Sequence, residues 1–241
     1  MTKDKFLREI LPPILIFLVA LISAIITNDY IPGGLVLLLG FLAFFYQIRG
    51  KWYHYIFNIV YTFFYAIISY MAGLYAYIFF AIIVYIPCYI YGMISWSKKS
   101  KSGRVEVKSF SLKTTILLFV CIVAGGFGLG LLLTLIPGQN MAFLDSTVQL
   151  FNVSAVILCS LRHKECWYAW MIQNAMSITL WIINIIGGAT SAVMVLIINA
   201  VYCVGNFRGI ASWNKAEKEQ KNAISVEVKD NKISAKAEEK E

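Results

Sequence analysis

The polar side chains that interrupt this chain's apolar stretches are few, and they recur at helical spacing. At 100° per residue, Trp167, Trp170, Asn174, Ser177, Trp181 and Asn184 fall within an arc of roughly 100° on one helix face. His54, Asn58, Tyr61, Thr62, Tyr65 and Ser69 do the same on another face. Asp145, Gln149, Asn152 and Ser160 form a third stripe, and Asn199, Tyr202, Asn206 and Trp213 a fourth. Indole and phenol rings stack on flat molecules, and a carboxamide offers donor and acceptor side by side, matching ring amides and sugar hydroxyls. The chemistry on offer is recognition of a flat, uncharged or weakly cationic heteroaromatic molecule. No ring of carboxylates or arginines, which a pathway for strongly charged solutes wants, accompanies the stripes.

Catalytic patterns do not accompany them either. The sequence has no HExxH zinc motif, no paired carboxylates within an apolar run and no GxxxxGK[ST] phosphate loop, and His54 and His163 stand far apart. An enzyme, an ATP-driven pump, a metal site and a bound cofactor are therefore not expected. Some stripe members have plainer readings. Ser69, Ser160 and Asn184 suit helix-to-helix glue. Trp52, Trp96 and Trp213 suit an interfacial aromatic belt, and His54 an interface histidine. Asp145 either caps a helix or shapes an external entrance.

The elements that position these residues follow from composition. The 241 residues are 59% hydrophobic and 14% charged, against about 45–50% and about 25% in soluble domains. Mean hydropathy is +0.71. Most of such a chain faces lipid. Apolar runs of span length without strict alternation predict eight membrane helices, near 10–28, 32–48, 52–72, 73–96, 113–136, 141–161, 165–186 and 188–210. No small-residue cleavage pattern follows the first, which reads as a span rather than a signal peptide.

The formal charge of +8 would suggest nucleic acid in a soluble protein. Here it reports topology, and no nucleic-acid partner is expected. Alternate connections carry all 21 Lys and Arg, and those around Asp29, Ala72, Gln139 and Gly188 carry none. Basic connections stay cytoplasmic, so both termini are placed inside. The tail from Asn214 balances seven basic with seven acidic residues and reads as a solvated appendage, partly disordered or helical. The five cysteines show no CxxC spacing and read as small buried hydrophobes.

The chain also repeats itself. Gly92 begins GMISWSK and Gly209 begins GIASWNK, an offset of 117; KWYHY at Lys51 matches CWYAW at Cys166 at 115, and Asn58 matches Asn174 at 116. An offset spanning four helices leaves the two copies parallel, an arrangement that transporters use to hold substrate between repeats near the midplane.

The stretch from Asp145 through RHKECWYAWMIQN to Trp181, with the two GxxSWxK ends, resembles the PnuC family of bacterial vitamin transporters. The resemblance implies an all-α fold like a full-length SWEET transporter, with repeats at about 32–96 and 141–213, a linker helix at about 113–136 and an extra N-terminal helix at about 10–28. That gives a transporter domain over 1–213 and a charged tail over 214–241. It further implies a homotrimer in the bacterial cell membrane, and facilitated diffusion of nicotinamide riboside made one-way by a cytoplasmic kinase. Thiamin, riboflavin and deoxynucleosides are carried by similar branches, and a proton-coupled version through Asp145 is the other alternative. The family's binding residues carry over to Trp170 and Asn174, with Asn58 as repeat partner; Tyr61, Tyr65, Gln149, Asn152 and Trp181 complete the expected site. Where nicotinamide riboside carriers tend to have a glutamine, this chain has Val156, and Gln149 or Asn152 on the same face are the substitutes.

Overall fold

In hydrocarbon every backbone N–H and C=O must be paired within the chain, which leaves helices as the answer for these apolar runs. The computed structural model describes residues 11–27, 30–98, 100–101, 104–189 and 192–238. In order these form α1 (Leu11–Thr27), α2 (Leu35–Ile48), α3 (His54–Met71), α4 (Tyr75–Lys98), α5 (Leu112–Leu133), α6 (Ala142–Ser160), α7 (Cys166–Ile186) and α8 (Ala192–Glu238). A two-residue antiparallel pairing, β1 (Ser100–Lys101) with β2 (Arg104–Val105), lies between α4 and α5.

Among the described residues six helical segments are long and apolar enough to cross a membrane: Ile31–Ile48, Tyr75–Lys98, Leu112–Leu133, Ala142–Ser160, Cys166–Ile186 and Ala192–Ala223. The expected spans at 10–28 and 52–72 are not among them. Over 10–28 the described helix has 17 residues and the ends of that range lie outside the described residues. Over 52–72 the helix carries His54, Asn58, Thr62, Ser69 and four tyrosines, which lower its hydropathy.

Six helices close into a ring in which α2 packs on α3, α3 on α4, α4 on α6, α6 on α7, α7 on α8 and α8 back on α2. Outside it, α5 lies on α6 and α1 on α2. The buried stripe of α5, Ile122, Gly126, Gly130 and Leu133, faces α6, while Ile116, Val120, Val123, Phe127 and Leu131 are exposed. An apolar face of this kind suits lipid. Gly73 makes the turn from α3 to α4 at φ +68°, and a Cβ there would stand 2.6 Å from the Gly138 carbonyl.

At both repeated GxxSWxK ends the glycine lies against an aromatic ring. A Cβ on Gly92 would collide with the ring of Tyr55, and one on Gly209 with the ring of Trp167. One turn further, Trp96 and Trp213 meet with ring centroids 5.7 Å apart, and Trp213 meets Trp167 at the same separation. The belt expectation for Trp96 and Trp213 is therefore corrected, since both are buried, at 0% and 3% exposure. The Trp96 indole N–H donates to the Cys159 carbonyl at 3.1 Å, so it has no need of interfacial water. Trp52, at 39% exposure, keeps the surface position. The tail takes the helical form, because α8 continues through Glu238.

Gly92→Val and Gly209→Val are each expected to cost about 1–3 kcal/mol by overpacking, read as a lower thermal midpoint in detergent. Gly128→Val, with nothing within 4 Å of its Cβ position, should leave the midpoint near wild type.

Candidate functional site

The ring encloses a cavity with about 70 Å³ open to the centre of a water molecule. Helix α3 contributes Asn58, Tyr61 and Tyr65 to its wall, α6 contributes Gln149, Asn152 and Val156, and α7 contributes Trp170 and Asn174. Seven of the eight site residues expected from the sequence thus share one space. Trp181 is the exception. It is 1% exposed and stands behind Tyr65, its Nε1–H donating to the Tyr65 hydroxyl at 3.0 Å with the rings edge-on at 88°. Tyr65 in turn packs on Tyr77 at 4.3 Å, so aromatic rings close the outer end of the cavity.

His54 is not at an interface with solvent. It is 1% exposed, lines the cavity, and donates from Nδ1 to the Lys51 carbonyl at 2.6 Å. Its ring lies 4.7 Å from Trp96, which joins it to the Trp96, Trp213 and Trp167 cluster at the end of the ring that carries the basic connections. The cavity is therefore bounded by aromatic clusters at both ends.

Several wall residues escaped the sequence reading. Tyr77 and Tyr89 enter from α4, where a π-helical stretch at Ala81–Tyr85 accommodates an extra residue and brings Tyr77 into register with Tyr85 and Tyr89. Tyr85 sits behind the wall and donates its hydroxyl to Gln149 Oε1 at 2.8 Å, which leaves the Gln149 amide N–H groups for the cavity. Phe44, Tyr55, Cys159 and Gln173 also line the space. The spacing of Tyr85 and Tyr89, four residues apart on an apolar helix, was the available signal.

Asp145 proves to be a fastener at the end opposite the basic connections. Its Oδ2 accepts from the Ala76 backbone N–H at 3.3 Å, in the first turn of α4, and from Gln139 Nε2 at 2.9 Å. A carboxylate suits a helix N-terminus. Gln139 Oε1 accepts from the Tyr75 N–H at 3.2 Å, and Asn140 Nδ2 donates to the Ala72 carbonyl at 3.0 Å. These bonds tie the α3–α4 turn to the α5–α6 connection.

A second set of bonds ties the end that carries the basic connections. Glu217 of α8 accepts from Lys164 at 2.6 Å and from Ser109 at 2.7 Å, and the Phe110 N–H donates to Glu165 at 2.8 Å. The Glu217 carboxylate raises the pKa of Lys164, whereas burial lowers that of His163, whose ring stacks on Phe110 at 4.0 Å. All five cysteines are free, and the described residues hold no cluster of three metal-ligating side chains.

A helical ring in the membrane around a polar, aromatic-walled cavity defines a multi-pass carrier-type protein. Comparison with known proteins gives the family. The model described as nicotinamide mononucleotide transporter matches residues 33–215. The nicotinamide riboside transporter PnuC of Neisseria mucosa is 25% identical over 185 residues, covering 74% of this chain and 70% of that protein. The protein of the same name from Haemophilus influenzae is 25% identical over 174 residues, covering 70% and 73%. A crystal structure of the vitamin B3 transporter PnuC superposes with a TM-score of 0.76 at 20% identity, over 91% of this chain and 99% of that one. The chain belongs to this nicotinamide mononucleotide transporter, or PnuC, family and is a membrane transporter rather than an enzyme.

Tyr65→Phe should cost about 1 kcal/mol by leaving the buried Trp181 N–H without an acceptor. A double-mutant cycle with Trp181→Phe, followed by thermal unfolding, should recover part of that loss.

Proposed function

We propose that the cavity carries nicotinamide riboside, or a closely related vitamin or nucleoside, by facilitated diffusion. The observation that carries this reading is the composition of the wall. It sets the Trp170 indole and six tyrosines against carboxamides that include Asn58, Gln149, Asn152 and Asn174, with no carboxylate, lysine or arginine among its residues. A pyridinium ring is flat and cationic, and aromatic faces attract it without a counter-ion. A phosphorylated mononucleotide brings a dianion that wants arginine or lysine. On this ground the riboside is favoured over the mononucleotide for which the family is described.

The remaining features follow from the same reading. Phosphorylation by a cytoplasmic kinase would make uptake one-way, since the wall is unsuited to the phosphorylated product. The one-sided distribution of Lys and Arg supports eight spans with both termini in the cytoplasm. The GxxSWxK motifs at Gly92 and Gly209, with Asn58 and Asn174 at nearly the same offset, support two parallel repeats, with α5 as linker, α1 as an extra helix and the tail beyond 213 outside the transporter domain. A homotrimer in the bacterial cell membrane is the assembly that the family resemblance implies.

Isothermal titration of the purified protein tests the reading. Nicotinamide riboside should bind, and the mononucleotide should bind far more weakly. Trp170→Ala should weaken riboside binding about tenfold or more, the scale of one lost ring-stacking contact. Asn174→Ala should weaken it by roughly fivefold to tenfold, with both variants folded. Equal affinity for riboside and mononucleotide, or unchanged affinity in both variants, would overturn the proposed site.

A further inference from the structure

Two asparagines of the spans satisfy themselves against their own helix. Asn199 Nδ2 donates to the Val195 carbonyl at 2.7 Å, and Asn184 Nδ2 to the Leu180 carbonyl at 3.0 Å. Asn206 does not. It is 0% exposed, lines the cavity, and neither its Nδ2 nor its Oδ1 has a hydrogen-bond partner among the described residues. A buried carboxamide with both atoms unpaired is costly to the folded protein. Close packing of α8 on α2 holds it in place, because the adjacent Gly205 lies against Phe44 so tightly that a Cβ would collide with that ring.

We infer that Asn206 is a specificity-determining residue, whose paired donor and acceptor hold the primary carboxamide of the transported molecule. This rests on the riboside reading above. The depth is right. Trp167 on α7 and Trp213 on α8 touch at 5.7 Å, and Asn174 and Asn206 each lie seven residues from that contact along their helices, or about 10 Å. Trp170, one turn from Trp167, lies between. Asn206 therefore faces in about 6 Å deeper than Trp170, a distance that a ring on that indole spans with its carboxamide substituent. A primary amide supplies an N–H to Oδ1 and a carbonyl to Nδ2 at once. A carboxylate in its place offers acceptors only and leaves Oδ1 facing an anion. The residue would thus separate an amide-bearing riboside from its acid counterpart.

The test uses the full chain in detergent, with nicotinamide riboside and nicotinic acid riboside as probes. Asn206→Leu should reduce affinity for the amide about tenfold and bring the amide-to-acid affinity ratio toward one. The ligand-free variant should melt at or above the wild-type midpoint, because an unpaired polar group has been removed. Asn206→Ala, which cannot overpack, should reproduce the loss of affinity. Wild-type binding of the amide with affinity unchanged to within twofold in both variants overturns this inference alone. So does a large fall in ligand-free stability in both, which would mark a structural role. Failure of the wild type to bind the amide overturns the substrate reading, and this inference with it.

Discussion

A polar group in hydrocarbon must have a partner, and the structure is organised by how each one finds it. The backbone satisfies itself by coiling. Asn184 and Asn199 bond their own helices, and the Trp96 indole N–H reaches the Cys159 carbonyl. Asn58, Gln149, Asn152, Gln173, Asn174 and Asn206 line the cavity, where a solute can complete them. The apolar excess that marks the chain as a membrane protein thus also marks its few carboxamides as the informative residues.

Aromatic clusters bound that cavity at both ends, and each is braced by a polar tie outside it. At the outer end the Tyr65 and Trp181 pair lies beneath the bonds of Asp145, Gln139 and Asn140 to the α3–α4 turn. At the inner end the tryptophan cluster lies beneath the Glu217 contacts with Lys164 and Ser109. Both ties join segments distant in sequence.

Much of the site was legible because polar residues at helical spacing in an apolar run can only share a face. Asn58, Tyr61 and Tyr65, and Trp170 with Asn174, were placed on this basis and line one cavity. Spacing alone does not distinguish a wall residue from the one behind it, and so Trp181 was grouped with Tyr65 when it serves as that residue's hydrogen-bond partner. Tyr77 was missed because the π-helical stretch at Ala81–Tyr85 breaks the 100° register that would join it to Tyr85 and Tyr89. Asp145 was ambiguous because one of its partners is a backbone amide 69 residues away. No local pattern records such a contact.

The central claim is that the six-helix ring binds a flat heteroaromatic riboside at its centre. A structure of the protein determined with nicotinamide riboside bound tests it most directly. The account predicts the pyridinium ring against the Trp170 indole inside the ring of α2, α3, α4, α6, α7 and α8. Its polar groups should lie within hydrogen-bonding distance of Asn58 or Asn174. Density for the ligand outside that ring, on the lipid-facing surface of α5 or at the cytoplasmic tail, would contradict it.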